Sequence, residues 1–196
     1  MTEVLFDAED NGATALEPDE RAQLIPTYIS TRAELNDAEL QNINDADRWV
    51  FRRRRDVLSL EFLKNLHKRM FNQVWRWAGN YRTTGRNIGV EAYRIDTELH
   101  QLLSDVRFWI ANTTFLPDEI AIRFHHRLVA IHPFPNGNGR HARLAADLLI
   151  IQLGNRRFTW GSESLVEPAK TRHNYIKALR TADNHDIRAL LAFART

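Results

Sequence analysis

The stretch His132-Pro133-Phe134-Pro135-Asn136-Gly137-Asn138-Gly139-Arg140-His141-Ala142-Arg143 decides how this chain folds. Pro133 and Pro135 each lack a backbone donor and cannot sit inside a continuing helix. Gly137 and Gly139 allow backbone angles that other residues avoid. The segment is therefore a loop. Before it, Pro117 opens a helix that carries Ile120, Phe124, Leu128, Val129 and Ile131 inward. After it, Arg143 to Leu153 is strongly apolar and reads as a central buried helix. Two helices joined by a glycine-rich turn define a mainly α architecture.

The same loop carries candidate chemistry. Gly137, Asn138 and Gly139 stand at a helix start, where successive backbone N–H groups and the helix dipole can hold an anion. Arg140 and Arg143 lie three apart, so both can project from one side of the first turn. Their guanidinium forks suit phosphate oxygens. His132 precedes the turn, and a histidine near neutral pKa can take a proton from an attacking hydroxyl. A Gly-Asn-Gly turn can equally be only a turn, and a lone histidine only a packed side chain. The residues alone leave both readings open.

Working outward, the chain has 196 residues, 43% hydrophobic and 27% charged. That composition is ordinary for a globular protein and the length suits one domain. The net charge of +2 gives no reason to expect a general nucleic-acid partner. Cysteine is absent, which excludes disulfides, thiolate metal sites and a cysteine nucleophile. No apolar run approaches the roughly 20 residues of a membrane span. Met1 to Asn11 is acidic and lacks the basic start and apolar middle of a signal peptide. The expected location is cytoplasmic.

Residues 1–26 read as an N-terminal arm, with a short helix over Pro18 to Leu24. Helical spacing begins at Ser30 and carries Leu35, Ala38, Ile43, Ala46, Trp49 and Val50. A second helix runs from about Ser59 to Trp75, ended by Gly79. Arg82 to Ile95 has β-branched residues and no helical stripe, so a short hairpin turning near Gly85 to Gly89 is expected. Asp96 reads as the N-cap of a helix over Glu98 to Asn112. Phe158 to Trp160 reads as a brief extended piece, and Pro168 to Ala182 and Asp186 to Ala194 as two closing helices. Arg52 to Arg55 reads as a solvated helix end near Asp45, Asp47 and Asp56 rather than a nucleic-acid contact. His125, His126, His132 and His141 lack the His-Glu-x-x-His spacing of a helical zinc site. Trp49, Trp75, Trp77 and Trp109 read as core.

The loop resembles the Fic signature, His-x-Phe-x-acidic-Gly-Asn-Gly-Arg-x-x-Arg. Gly79-Asn80-Tyr81-Arg82 resembles the segment before the Fic flap. Tyr175, Ala178-Leu179 and Ala182-Asp183 resemble the helix after the motif. The stretch Ile25 to Asn36 extends the similarity to the Fic-domain group called mobile mystery protein B. The resemblance implies a Fic-type helical bundle with a small β-hairpin flap, over residues 27–196. Most enzymes of that family, which is mostly bacterial, transfer AMP from ATP to a Ser, Thr or Tyr hydroxyl of a target protein. By that resemblance His132 is the base and Phe134 anchors the loop. Gly137, Asn138 and Gly139 line the α- and β-phosphates, with the Asn138 side chain a phosphate contact. Arg140 holds the departing phosphates, Arg143 engages the γ-phosphate, and Tyr175 stacks near the adenine. The flap, with Arg86, Asn87, Ile88 and Gly89, docks the target chain as an added strand. The implied partners are ATP, Mg²⁺ and a target protein, with self-modification or a homo-oligomer as further possibilities.

Asn136 departs from the signature, which has Asp or Glu there. That carboxylate ordinarily holds Mg²⁺ on the ATP phosphates, and an amide oxygen brings no negative charge to a hard cation. An ATP-binding interaction module with little catalysis is the alternative that Asn136 raises. Phosphoryl transfer of the Doc type is another, but that branch has lysine where this chain has Gly139. Ser30 and Glu34 also match the spacing of the Ser/Thr-x-x-x-Glu inhibitory helix of many Fic proteins. Leu35 fills the slot that is Gly or Asn there. A capping box explains the same residues.

Overall fold

Most helix-starting signals in the sequence mark the start of a helix. The computed structural model describes residues 16–161 and 168–196. The first fifteen residues of the expected arm lie outside the described residues. The short helix α1 (Pro18–Arg21) has proline at its first position. In α2 (Arg32–Val50) the Thr31 side chain accepts from the Glu34 N–H at 3.3 Å, satisfying one of the orphan donors of a helix start. Ser59 caps α3 (Leu60–Phe71) in the same way, accepting from the Phe62 N–H at 3.1 Å. α4 spans Ile95–Ala111 and α5 spans Pro117–Ile131, with Pro117 at its first position. α6 spans Asn138–Gln152, α7 Pro168–Asp183 and α8 Arg188–Ala194.

The buried helix is α6. Ala142, Ala145 and Ala146 are fully enclosed, and such small side chains let neighbouring helices approach closely. α5 packs along one side of α6 and α3 against another, while α2 pairs with α3, α4 with α5, and α7 with α8. Leu63, Leu66, Met70, Phe71, Leu99, Leu102, Phe124 and Phe134 fill the space between them without exposure. Trp75 and Trp77 stack in this core, ring centroids 5.1 Å apart, whereas Trp49 and Trp109 are only partly buried. Arg52, Arg53 and Arg54 face solvent, and Arg55 turns back to stack on Trp49 at 3.6 Å. Among the described residues no helix is long and apolar enough to cross a membrane.

The expected β-hairpin over residues 82–95 does not form. No strand is present there; residues 83–90 are bends and irregular backbone, followed by a 3-10 turn, Ala92–Arg94. The reason is the Arg82 guanidinium, which lies between the two arms of the segment. Its Nη1 donates to Thr84 O at 2.8 Å, its Nη2 to Val90 O, and its Nε to His132 O at 2.7 Å. The backbone pairs with a third partner too: Arg82 N donates to Pro133 O at 2.9 Å and Val90 N to Ile131 O at 3.3 Å. Both arms thus bond to the end of α5 instead of to each other. Asp96 is likewise not a cap, because α4 continues directly from the 3-10 turn and begins at Ile95. Phe158 to Trp160 forms no strand; Thr159 and Trp160 donate to the Ala194 carbonyl at the end of α8.

Candidate active site

His132 closes α5 with left-handed backbone angles, φ 55° and ψ 59°. A non-glycine residue holds that conformation only when its surroundings enforce it. Here the Arg82 side chain grips the His132 carbonyl, and the side chain is buried, 5% exposed. Burial pushes the imidazole down to about 4, and the neighbouring Arg82 and Arg86 charges push the same way. A hydrogen bond to the Val129 backbone opposes them. His132 is therefore neutral at physiological pH, the form that accepts a proton.

The following loop is braced from inside. Phe134 is fully buried and stacks on His67, centroids 3.7 Å apart. His67 also fixes the backbone: its Nδ1 accepts from Gly79 N–H at 3.0 Å, which leaves Nε2–H to donate to the Asn136 carbonyl at 3.0 Å. Asn138 clips the loop to itself. Its Oδ1 accepts from Phe134 N–H at 2.9 Å and its Nδ2 donates to Phe134 O at 2.8 Å. These two bonds turn the buried Asn138 side chain towards the loop. Gly137 caps α6 at φ 77°, and a Cβ there would stand 2.5 Å from the Phe71 ring. Only glycine meets both demands. Asn136 lies half-buried, its Oδ1 accepting from the Gly137 N–H at 2.6 Å.

α6 then presents its two arginines differently. Arg140 donates to Glu39 of α2 at 2.6 Å and lies over the Phe71 ring. Arg143 stacks on Tyr175 at 5.2 Å, and no carboxylate pairs with it among the described residues. Burial holds its guanidinium below the usual range. Tyr175 sits beside Gly139, and its hydroxyl shares a hydrogen bond of 3.1 Å with His125 Nε2. Burial raises the Tyr175 phenol to about 12, so it stays uncharged. A partly buried cation stacked on an aromatic ring, with Asp147 near enough to act on it but not paired to it, keeps donors for an anion.

Glu34 does not reach this cluster. Its carboxylate accepts from Ser30 N–H at 2.8 Å, Ser30 Oγ at 3.1 Å and Thr31 N–H at 2.9 Å, which is the capping box. The acid that reaches a motif arginine is Glu39, whose other oxygen accepts from Trp75 Nε1 at 2.7 Å. Of the expected flap residues, Gly89 lies against His132: a Cβ there would stand 2.6 Å from His132 Cβ. Asn87 and Ile88 are exposed, and Arg86 is drawn inward to Glu20 and Glu17 of the N-terminal arm. His67 and Glu39 carry no sequence signal, because each acts across a distance of many residues, and Arg82 was visible only as the end of the Gly79 to Arg82 stretch. The arrangement as a whole offers a neutral base beside amide donors and two guanidinium groups.

The comparisons with known proteins agree with this geometry. Residues 57–150 match the model of the Fic/DOC family. The chain is 28% identical over 161 residues to protein adenylyltransferase fic-1 of Caenorhabditis elegans, covering 80% of this chain and 30% of that protein. It is 30% identical over 142 residues to protein adenylyltransferase Fic of Culex quinquefasciatus, covering 70% of this chain and 27% of that one. The chain thus spans less than a third of the length of these curated relatives. Its fold is similar to that of BepC from Bartonella tribocorum, solved with bound AMPPNP, at a TM-score of 0.67 and 18% identity over 91% of this chain and 97% of that one. It is also similar to residues 134–508 of C. elegans Fic-1, at 0.63 and 24% identity over 89% of this chain and 50% of that one. A loop braced by His67 and Asn138, a buried helix and these matches together show that residues 57–150 form a Fic/DOC family domain.

Proposed function

We propose that this chain is a protein adenylyltransferase that moves AMP from ATP to a hydroxyl of a target protein. In that reaction the hydroxyl oxygen bonds to the α-phosphorus, the bond from that phosphorus to the bridging oxygen breaks, and pyrophosphate departs. His132 takes the hydroxyl proton. The N–H groups at the start of α6 face the phosphates, and Arg140 and Arg143 stabilise the charge that grows on the leaving group. The observation that carries this reading is His132, a buried and neutral imidazole that leads into the glycine turn at the start of α6, from which Arg140 and Arg143 follow. The two adenylyltransferase relatives and the AMPPNP seen in BepC support it. The stretch from Ile25 to Asn36 supports the mobile mystery protein B group, and a need for ATP suits a cytoplasmic setting.

The residues at the loop do not build a protein-held Mg²⁺ site. Asn136 brings an amide, and both its side-chain oxygen and its carbonyl already accept protein hydrogen bonds. No group of three His, Asp or Glu gathers among the described residues to hold a metal.

Labelled ATP tests the proposal. The full chain, alone and with candidate targets, is incubated with ATP carrying label on either the α- or the γ-phosphate. Label from the α-position alone, lost in His132→Ala, is the expected result. Label from the γ-position points to phosphoryl transfer of the Doc type. ATP uptake by calorimetry with no label points to a binding module.

A further inference from the structure

The N-terminal arm is fastened to the core and aims its acids at the turn over His132. Ile25 N donates to Val74 O at 2.9 Å and Arg76 N to Gln23 O at 3.0 Å, so the arm runs along the segment that follows α3. From α1, Glu20 accepts from the Glu17 N–H at 2.8 Å and meets the Arg86 guanidinium with its carboxylate. Glu17 adds a second carboxylate contact at 3.4 Å. Thr84 Oγ1 and Gly85 O also accept from Arg86 Nη1, at 2.6 and 3.0 Å.

This pair differs from an ordinary surface contact. The Arg86 side chain is 4% exposed and that of Glu20 9%. Exposed ion pairs contribute little, but removing one partner of an enclosed pair leaves a charge without water or counter-charge. The turn also holds two arginines. Arg82 and Arg86 repel, and Glu20 lies close enough to act on both. Glu91 also acts on Arg82, but the acids that pair with Arg86 are Glu20 and Glu17.

We propose that Glu20 and Arg86 are positioning residues: their ion pair sets how the exposed edge Asn87 to Gly89 sits above His132, and so where an incoming protein chain presents its hydroxyl. The inference rests on the transfer reading above. The chain of contact is short. Arg86 fixes one side of the turn to α1, Arg82 fixes the other to the end of α5, and Gly89, three residues beyond Arg86, lies against His132. Neither Glu20 nor Arg86 meets the reacting atoms in this scheme.

Hydrogen exchange separates this idea from the transfer reading. Glu20→Gln, Arg86→Gln and Arg86→Lys are compared with the wild-type full chain. Exchange is followed by mass spectrometry in peptides spanning 83–91 and in peptides of α6. The expected result for both Gln variants is exchange about tenfold faster at 83–91, with α6 unchanged. Self-labelling from α-labelled ATP falls by a similar factor, while the ATP concentration giving half-maximal rate stays the same. Arg86→Lys, which keeps the charge without the fork, recovers part of both. Unchanged exchange at 83–91 in both Gln variants overturns the clamp, as does equal acceleration in α6. Absence of label in the wild type overturns the transfer reading, and the exchange data still decide whether α1 holds the turn.

Discussion

Arg140 donates to Glu39 at 2.6 Å, five residues beyond Glu34, the acid whose spacing drew attention in the sequence. Five residues is nearly one and a half helical turns, so Glu34 and Glu39 lie on different faces of α2. Glu34 closes the helix N-terminus in solvent, while Glu39 is buried between Trp75 and Arg140.

If Arg140 serves the phosphates, it must leave Glu39 to do so. Glu39→Gln keeps an acceptor for Trp75 Nε1 and removes the charge. ATP affinity, measured by calorimetry, is expected to tighten about fivefold, the scale of a partly exposed ion pair of about 1 kcal/mol. Glu34→Gln is expected to leave ATP affinity unchanged. Equal effects from the two variants would show that the Glu39 contact does not compete with nucleotide.

Gly89 has φ 97°, and an added methyl would meet both His132 Cβ at 2.6 Å and the Arg82 guanidinium at 2.9 Å. Gly89→Ala is expected to lower AMP labelling by at least tenfold through displacement of His132. The strain, about 1–3 kcal/mol, should also lower the melting temperature by a few degrees in a chain of this size. Gly85 has open space around it, so Gly85→Ala should change neither. Retained labelling in Gly89→Ala would refute the placement of this glycine over the base.

The pH response follows from buried neutral histidines. His132 and His141 are both pushed down to about 4 by burial, and His67 and His125 are held well below their ordinary value for the same reason. Between the unfolded value near 6.5 and the folded value, the unfolded chain binds more protons, so stability rises with pH across that window. Stability is therefore complete above about pH 6.5 and is lost as pH falls towards 4, by an amount on the order of a few kcal/mol. Labelling by His132 should stay flat from pH 8 to 6 and fall only towards pH 4. Denaturant titrations across that range check the first expectation and initial rates check the second. A rate that halves near pH 6.5 would show that burial does not depress the proton acceptor in the reacting complex.

Asn136→Asp restores a carboxylate at the loop without disturbing its acceptor for the Gly137 N–H. The Mg²⁺ concentration giving half-maximal labelling is expected to drop about tenfold, since Mg²⁺ binds through carboxylates together with phosphates. A sharp loss of activity in this variant would mean that the amide itself is required.

The local grammar of this chain was legible in its sequence. Pro133 and Pro135 forbid a helix, Gly137 tolerates the left-handed angle that starts α6, and Thr31, Ser59 and Pro117 begin helices by satisfying or lacking donors. These are decisions between neighbours in the chain, and elementary sterics settles them. The hairpin reading of residues 82–95 failed because β-branched content and glycines say only that a segment is not helical. What its carbonyls bond to was settled by Arg82 and by the end of α5, about fifty residues away. His67 reached Asn136 across 69 residues and Glu39 reached Arg140 across 101. Helix packing alone determined those meetings, because the pitch of α2 and its contact with α3 select which acid faces inward. Composition and spacing therefore established the loop and the places of His132, Arg140 and Arg143 along it, whereas folding chose their partners. A side chain's periodicity reports the face it occupies, and only the assembled core specifies what lies opposite that face.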